Sequence, residues 1–198
     1  MKVSGRKVAE HRAALVVTAR RLLQERGFSG AGVADISREA GLTQGALYAQ
    51  FGSKDALAAE AACRAVAEGA AFLKKLREAP DPLAAYLDAY LDESHMRDAG
   101  AGCLMAACVS EVARQDKAIG AAFAQGFRDL VAFVMEALPK GLSREESHRR
   151  ALTMVPAMVG SVAIARALEK TDPALAREVL VATRVELERL AAGVDAGR

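Results

Sequence analysis

Residues 33–55, VADISREAGLTQGALYAQFGSKD, decide the fold of this chain. Ile36 and Ala40 are four positions apart, so they share one face of a first short helix. Gly41 follows that helix, and glycine ends a helix in the left-handed conformation without steric cost. Thr43 suits the N-cap of a second helix, because its hydroxyl can accept from an unpaired N–H of the first turn. The stretch therefore predicts two short helices joined by a tight turn.

The second predicted helix has one apolar face and one small polar face. Leu47 and Phe51 are four positions apart and point inward, whereas Gln44 and Tyr48 share the outer side. Such an outer side fits the major groove of DNA, where glutamine can bridge adenine and small residues permit close approach. The predicted base contacts and close approaches are Gln44, Gly45 and Ala49, and the predicted phosphate contacts are Thr43, Tyr48, Gln50 and Lys54. The alternative is an ordinary surface hairpin of helices in an all-α protein.

Charge is divided unevenly along the chain. Residues 1–54 hold nine Lys and Arg against four Asp and Glu, and the remaining 144 residues hold 18 against 21. The net charge of +2 thus combines a basic N-terminal end with a mildly acidic remainder. Lys2, Arg6, Lys7 and Arg12 cluster near the start, as an arm that meets phosphates would. A solvated basic tail explains the same cluster.

Composition indicates an all-α protein with a substantial core. Of 198 residues, 52% are hydrophobic and 5% aromatic, which suffices for one large domain or two small ones. No run of about 18 uninterrupted apolar residues occurs, so neither a transmembrane helix nor a membrane partner is predicted. The basic N-terminus lacks the apolar segment of a secretory signal, which predicts a cytoplasmic protein.

The residue types that most often carry catalysis or bind metals are scattered. Cys63, Cys103 and Cys108 form no CxxC pair, and the three histidines lie far apart in the sequence. No metal site and no cofactor are therefore predicted, and buried free thiols are the expected state, with redox sensing as the alternative. Without converging acid–base groups or a phosphate-binding loop, the chain is not predicted to be an enzyme.

Apolar periodicity and capping residues predict about nine helices. The first runs from about residue 7 to 26, and the next two are those of residues 33–51. The other six lie at about 54–78, 82–97, 104–114, 117–138, 143–170 and 173–192. The fourth helix is expected to join a small N-terminal module to a larger helical body.

Four segments resemble the signature of the TetR/AcrR family of transcriptional regulators. They are Gly27-Phe28, Val33-Ala34-Asp35-Ile36, Ala40-Gly41-Leu42-Thr43 and the run from Gly45 to Leu57. The resemblance implies a three-helix helix-turn-helix DNA-binding domain at residues 1–57 and a helical effector-binding and dimerisation domain at 58–198. It implies a homodimeric, ligand-responsive repressor that binds double-stranded operator DNA. The contacts it implies are Thr43, Gln44, Gly45, Tyr48, Gln50 and Lys54.

Two alternatives to a repressor stay open. One is an activator of the same family, and the other is an interaction protein that keeps the helix-turn-helix shape without binding DNA. The chain also departs from the family, which often has Thr-Thr or Thr-Ser where Ala31-Gly32 stands. We expect Ser29 to supply the missing cap and phosphate contact. Histidine is common where Gln50 stands, and glutamine carries no charge, so a weaker phosphate grip is expected.

The helical body is expected to hold an effector pocket among helices five to eight. Methionine suits adaptable cavities, and aromatic rings supply large apolar surfaces. The candidate wall residues include Tyr90, Met105, Phe123, Phe127 and Met158, and Glu111 is a candidate to meet a polar group of an effector. For each of them a place in the core is the alternative, and for Glu111 the alternatives are solvation or a pair with Arg114.

Helices eight and nine are the expected dimer interface. Small residues accompany the apolar stripe of the eighth helix, and they permit two helices to approach closely. Two copies would then form a four-helix interface. Packing of the same faces within one chain is the alternative.

Overall fold

The computed structural model of the protein describes residues 5–193. Lys2 of the predicted basic arm lies outside the described residues. Within that range all regular elements are α-helices, which confirms the predicted all-α fold. In chain order they are α1 Gly5–Gly30, α2 Val33–Glu39, α3 Gln44–Phe51, α4 Lys54–Leu76, α5 Pro82–Tyr90, α6 Glu93–Arg97, α7 Leu104–Val112, α8 Lys117–Ala137, α9 Arg144–Leu168 and α10 Pro173–Ala192.

The described residues thus form ten helices, because the single helix expected at 82–97 is divided into α5 and α6. Leu91 ends α5, and Asp92 begins α6 as its N-cap. The Asp92 carboxylate accepts a hydrogen bond from the Ser94 N–H at 2.8 Å. A short acidic side chain that bonds to the backbone in this way competes with continuation of a helix.

The chain forms two compact units. The first contains the described residues up to Glu68 together with Ala99–Ala124, and the second contains Gly69–Asp98 together with the described residues from Gln125 onward. The helices α4 and α8 each contribute to both units. The division into domains at residues 1–57 and 58–198 stays a prediction.

One apolar core holds the first unit together. The large side chains that are at most 2% exposed come from five helices: Leu15, Leu22 and Leu23 of α1, Ile36 of α2, Leu47 of α3, Leu57 of α4 and Ile119 of α8, and α7 adds the smaller, fully buried Cys108. Burial of one aliphatic side chain of this size stabilises a fold by about 1.5–3 kcal/mol. Each short helix of the helix-turn-helix is therefore anchored by one large buried side chain.

In the second unit α9 packs along α10. The buried residues of the pair include Met154, Met158 and Val162 of α9 and Leu180 and Leu187 of α10. Each helix begins at a side-chain cap, since Ser143 accepts from the Glu146 N–H at 3.1 Å and Asp172 accepts from the Leu175 N–H at 3.0 Å. These caps satisfy N–H groups that the first turn leaves without a partner.

By length and composition α8 and α9 are apolar enough to cross a membrane. The sequence prediction that no such helix occurs was based on uninterrupted runs of apolar residues. The length and composition of α8 and α9 are judged instead by the mean hydropathy of 18 consecutive residues. About two fifths of each window is buried within the protein, at 39% for α8 and 44% for α9. Core helices of water-soluble proteins have the same composition, so the property alone is weak support for a membrane helix.

Candidate DNA-binding interface

Backbone hydrogen bonds close the turn between α2 and α3. The Gly41 N–H donates to the Arg38 carbonyl at 3.1 Å, and the Leu42 N–H donates to the Ser37 carbonyl at 2.8 Å. Gly41 has a φ of +69°, in the left-handed region that a glycine reaches without strain. The Thr43 hydroxyl accepts from the Ala46 N–H at 3.2 Å, which confirms Thr43 as the N-cap of α3.

The outer face of α3 is small, polar and open. Gln44, Gly45 and Ala49 are exposed, and the Tyr48 ring is 49% exposed, whereas Leu47 is fully buried. A Cβ built on Gly45 would meet only the Thr43 hydroxyl, at 3.8 Å. The packing of the chain therefore does not require a glycine there. The glycine instead removes a side chain from the outer face of α3, so that another molecule can approach the helix backbone closely.

Two of the predicted DNA contacts are held partly within the first unit. The Lys54 ammonium donates to the Phe28 carbonyl at 2.7 Å, and the Gln50 carbonyl accepts from Arg12 at 2.9 Å. Lysine has three N–H donors, so this bond leaves Lys54 able to donate to another acceptor. The side chain of Gln50 is half-buried on the edge of the outer face.

Ser29 does not replace the missing cap of α2, so that expectation is wrong. Gly32 occupies the N-cap position, and no side chain bonds to the first turn of α2 there. Ser29 still belongs to the end of α1, three residues before the cap position, and its N–H donates to the Glu111 carboxylate at 3.2 Å. Its side chain is exposed, and its role in DNA binding stays a prediction.

The connection between α1 and α2 is held by Glu111 of α7. Gly27 breaks the helical path of α1 with a φ of +73°, and a Cβ there would lie 2.0 Å from Glu111 Oε1. The Glu111 carboxylate thus fills the space that Gly27 leaves and accepts from the Ser29 N–H. The sequence offered Glu111 as an effector contact, as solvated or as a partner of Arg114, and none of these readings includes this bond.

Ion pairs flank the helix-turn-helix. Glu39, at the end of α2, accepts from Arg21 and, at 3.2 Å, from Arg26. The hydrogen bond from Arg21 lowers the pKa of the Glu39 carboxyl below its ordinary value. Bonds to Glu25 and Glu39 raise the pKa of Arg21 in turn. These side chains are 26–41% exposed and so remain in contact with water, and such pairs add little to stability.

The predicted effector residues are divided between the two units. Met105, Glu111 and Phe123 belong to the first, and Tyr90, Phe127 and Met158 belong to the second. In the second unit a cavity of about 640 Å³ lies between α8 and α9. Its lining consists of Phe127, Arg128, Val131, Ala132, Met135, Arg144, Glu145, His148 and Leu152. Of the six candidates, Phe127 lines this cavity.

Tyr90 belongs instead to a ring cluster of the second unit. Its ring centroid is 5.4 Å from that of Tyr86 and 4.7 Å from that of His95. The His95 ring nitrogen Nδ1 lies 2.6 Å from the Tyr90 carbonyl, and burial lowers the pKa of His95 below its ordinary value. Tyr90 is thus buried in this cluster, and its proposed contact with an effector stays a prediction.

The chain consists of helices, and the second helix of its N-terminal helix-turn-helix has a small, polar and exposed outer face. This arrangement is typical of helix-turn-helix DNA-binding proteins. Two family models agree with this class. One, described as "Bacterial regulatory proteins, tetR family", matches residues 15–61, and the other, "Transcriptional regulator LmrA/YxaF-like, C-terminal domain", matches residues 81–177. The chain belongs to the TetR family and is a DNA-binding transcriptional regulator.

Several solved structures share the fold. A TetR regulator from Legionella pneumophila is 18% identical with a TM-score of 0.77, covering 96% of this chain and 98% of its own. The regulator from Cytophaga hutchinsonii is 19% identical with a TM-score of 0.75 over 100% of both chains. Reduced NemR of E. coli is 23% identical with a TM-score of 0.71, covering 87% of this chain and 94% of its own. No curated protein matches the chain.

Members of the TetR family are in general cytoplasmic and not enzymes. Repression, homodimers and a response to small molecules are typical of them.

Proposed function

We propose that the chain is a ligand-responsive repressor that binds operator DNA as a homodimer and acts in the cytoplasm. The observation that carries the proposal is the outer face of α3, where Gln44, Gly45 and Tyr48 are open while Leu47 is fully buried. A helix anchored on one side and open on the other can enter the major groove without first being released from the protein.

Each side chain of this face has a chemical role in the proposal. Gln44 reads a base edge, since its amide can both donate and accept, and Gly45 permits close approach. Thr43 accepts from Ala46 within the helix, so its O–H proton stays available for a phosphate oxygen. Tyr48 and Lys54 donate to the DNA backbone as well. Ser29 and Gln50 complete the proposed set of DNA contacts.

The proposed dimer interface lies on α9 and α10. Five large apolar side chains of these helices are at least 40% exposed, namely Leu152 and Ile164 of α9 and Leu175, Val181 and Val185 of α10. Exposed apolar surface of this kind marks interaction sites when it is contiguous. Two copies that join through it would present two α3 helices, which enter successive major grooves when they are about 34–36 Å apart.

An effector would act by shifting a population of conformations. If it binds better to a form with another spacing of the two α3 helices, it must weaken DNA binding by the same factor by which DNA weakens its own binding. We propose α4 as the connecting element, because it contributes to both units. Tyr90, Met105, Glu111, Phe123, Phe127 and Met158 stay the proposed effector contacts.

The proposal is tested with the DNA that lies next to the gene and with salt. Binding to an intergenic fragment is measured by fluorescence anisotropy, first for the wild type at several salt concentrations. A protein that makes several phosphate contacts loses affinity steeply as salt rises. A salt-independent or absent affinity would instead favour an interaction protein that does not bind DNA.

Tyr48→Ala/Lys54→Ala is then compared with a matched control. Phe72→Ala/Lys74→Ala also removes one aromatic ring and one ammonium, both exposed, but from the later part of α4, whereas Lys54 is the first residue of α4 and is half-buried. We expect the first double variant to lose at least about tenfold in affinity, or 1.4 kcal/mol, and the control to bind as the wild type does. If both double variants bind the fragment equally well, α3 is not the helix that contacts the DNA. Transcription from the neighbouring promoter then separates a repressor from an activator.

A further inference from the structure

Arg12 connects α1 with the C-terminal end of α3 and with α4. Its Nη1 donates to the Gln50 carbonyl at 2.9 Å, and its Nε donates to Glu60 Oε1 at 3.2 Å. Nη2 donates to the other Glu60 oxygen. The guanidinium carbon lies 4.2 Å from the centroid of the Phe51 ring. One side chain therefore contacts three residues that are 38 or more positions away in the sequence.

Arg12 contacts α3 at the C-terminal end of the helix, where a positive charge is favourable. The last carbonyls of a helix have no partner within the helix, and the C-terminal end carries a partial negative charge. Gln50 provides one of these carbonyls, and a guanidinium is suited to it in both hydrogen bonding and charge. With eight residues, α3 is too short to be stable by itself. Its direction is therefore set by contacts such as this one.

Arg12 is one of the four basic residues that the sequence predicted as a phosphate-binding arm. In the structure its guanidinium is instead bonded to groups of the protein. Three of the five N–H donors of Arg12 are directed at Gln50 and Glu60. Glu60 neutralises much of the positive charge. Arg6, by comparison, has a side chain that is 90% exposed and pairs with Glu10 at 3.5 Å, on the same helix. Arg6 can therefore turn to DNA at little cost, whereas the Arg12 side chain, which is 42% exposed, would have to give up its bonds to Gln50 and Glu60 to do so.

We propose that Arg12 is a positioning residue of the recognition helix: it fixes the direction in which α3 presents Gln44 and Tyr48, and it does not contact a phosphate. This proposal rests on the proposed function, because it assumes that α3 contacts the operator. A phosphate contact and a positioning role make opposite predictions for removal of the Glu60 carboxylate.

The first test compares Arg12→Ala, Arg12→Lys and Glu60→Ala for operator affinity against salt concentration. For a positioning role we expect Arg12→Ala to lose about tenfold or more while the slope of log affinity against log salt stays unchanged, and Arg12→Lys to recover only part. Glu60→Ala should also weaken binding. For a phosphate contact the slope falls by about 0.9 in Arg12→Ala, and Glu60→Ala binds more tightly because a competing carboxylate is gone. That second pattern would overturn the proposal.

A double-mutant cycle with Gln44→Ala adds an independent readout. If Arg12 acts by aiming α3, then Gln44→Ala costs clearly less affinity in the Arg12→Ala background than in the wild type. Two independent DNA contacts would give additive losses, since distant sites without shared partners are additive. Additivity would therefore contradict the positioning role.

Hydrogen exchange without DNA separates this proposal from the proposed function. In Arg12→Ala we expect faster amide exchange in residues 44–53 and unchanged exchange in α9 and α10. The result stands even if the wild type binds no operator, in which case only the proposed function has failed. Unchanged exchange in residues 44–53 would overturn the positioning role. Should Arg12→Ala fail to fold, as judged by circular dichroism, the same measurement on Arg12→Lys and Glu60→Ala decides the question.

Discussion

The proposed recognition helix α3 and the pair of α9 and α10 are fixed in two different ways. α3 has eight residues and is held by one buried leucine and by side chains from elsewhere in the first unit, such as Arg12. α9 and α10 have 25 and 20 residues, begin at their own caps and bury a long stripe against each other. A short helix takes its direction from its neighbours, whereas long helices largely set their own.

The difference extends to the exposed surfaces. The outer face of α3 is polar and includes a glycine that internal packing does not require. α9 and α10 expose branched apolar side chains, with Val181 63% exposed and Ile164 55% exposed. Polar edges suit the hydrogen-bonding groups of a DNA groove, and apolar surface suits a second protein. Substitutions in the two regions should therefore fail in different ways.

The largest effect is expected for Leu47→Ala, which removes the anchor of α3. Leu47 is fully buried, and such truncations cost about 2–5 kcal/mol of unfolding free energy. Val17→Ala in α1 is the control, since Val17 is 43% exposed and its truncation should change stability by less than about 0.5 kcal/mol. Urea denaturation measures both. Equal losses would mean that α3 does not depend on its buried leucine.

A second prediction concerns the surface of α9 and α10. Ile164→Asp/Val181→Asp places charges on the proposed interface, so we expect the dimer to dissociate at least about 100-fold more easily, which is about 2.7 kcal/mol. Analytical ultracentrifugation measures the association, and circular dichroism should show an unchanged helix content. Lys75→Glu is a charge-changing control on an exposed position of α4, outside the proposed interface. A double variant that associates like the wild type would place the interface elsewhere.

Gly27→Ala should destabilise the first unit by about 1–3 kcal/mol, because an alanine is strained at a φ of +73° and its Cβ would clash with Glu111. Adding Glu111→Ala removes the clash but not the backbone strain. We therefore expect Gly27→Ala/Glu111→Ala to be more stable than the sum of the two single losses implies. Thermal unfolding of the four proteins measures this coupling, and strictly additive losses would show that Glu111 does not fill the space beside Gly27.

The smallest effect is a difference in pH dependence. Burial lowers the pKa of His95 in the second unit below its ordinary value of 6.5, so its neutral form is favoured in the folded state. Stability from this source is present above pH 6.5 and is lost as pH falls from there toward the lowered pKa. Glu39 of the first unit has its pKa lowered from 4.5 by Arg21, so its contribution is lost only below about that pH.

Thermal unfolding between pH 7 and pH 4 distinguishes the two groups. We expect His95→Gln to flatten the dependence just below pH 6.5, and Glu39→Gln to change the curve only at the acid end. If both variants follow the wild type at every pH, neither group is linked to folding.

Much of the recognition site could be predicted from the sequence because its determinants are local. The spacing of Ile36, Ala40 and Leu47, the glycine at position 41 and the capping hydroxyl of Thr43 act within a few residues of one another. The same kind of reasoning missed the break at Asp92, because an acidic residue within an apolar periodicity can lie on a wet face or cap a new helix. Ser29 was wrongly expected to cap α2 because the end of α1 could not be located from periodicity to within one turn.

The sequence by itself determined the all-α fold, the helix-turn-helix and the polar outer face of α3, since helix periodicity, capping and burial patterns are read from neighbouring positions. Only the tertiary structure decided how the long charged side chains are used. Arg12 reaches Gln50 and Glu60, and Glu111 reaches Ser29, 82 positions away. A flexible side chain bonds to whichever acceptor the fold brings within a few ångströms, and sequence spacing carries no information about that distance.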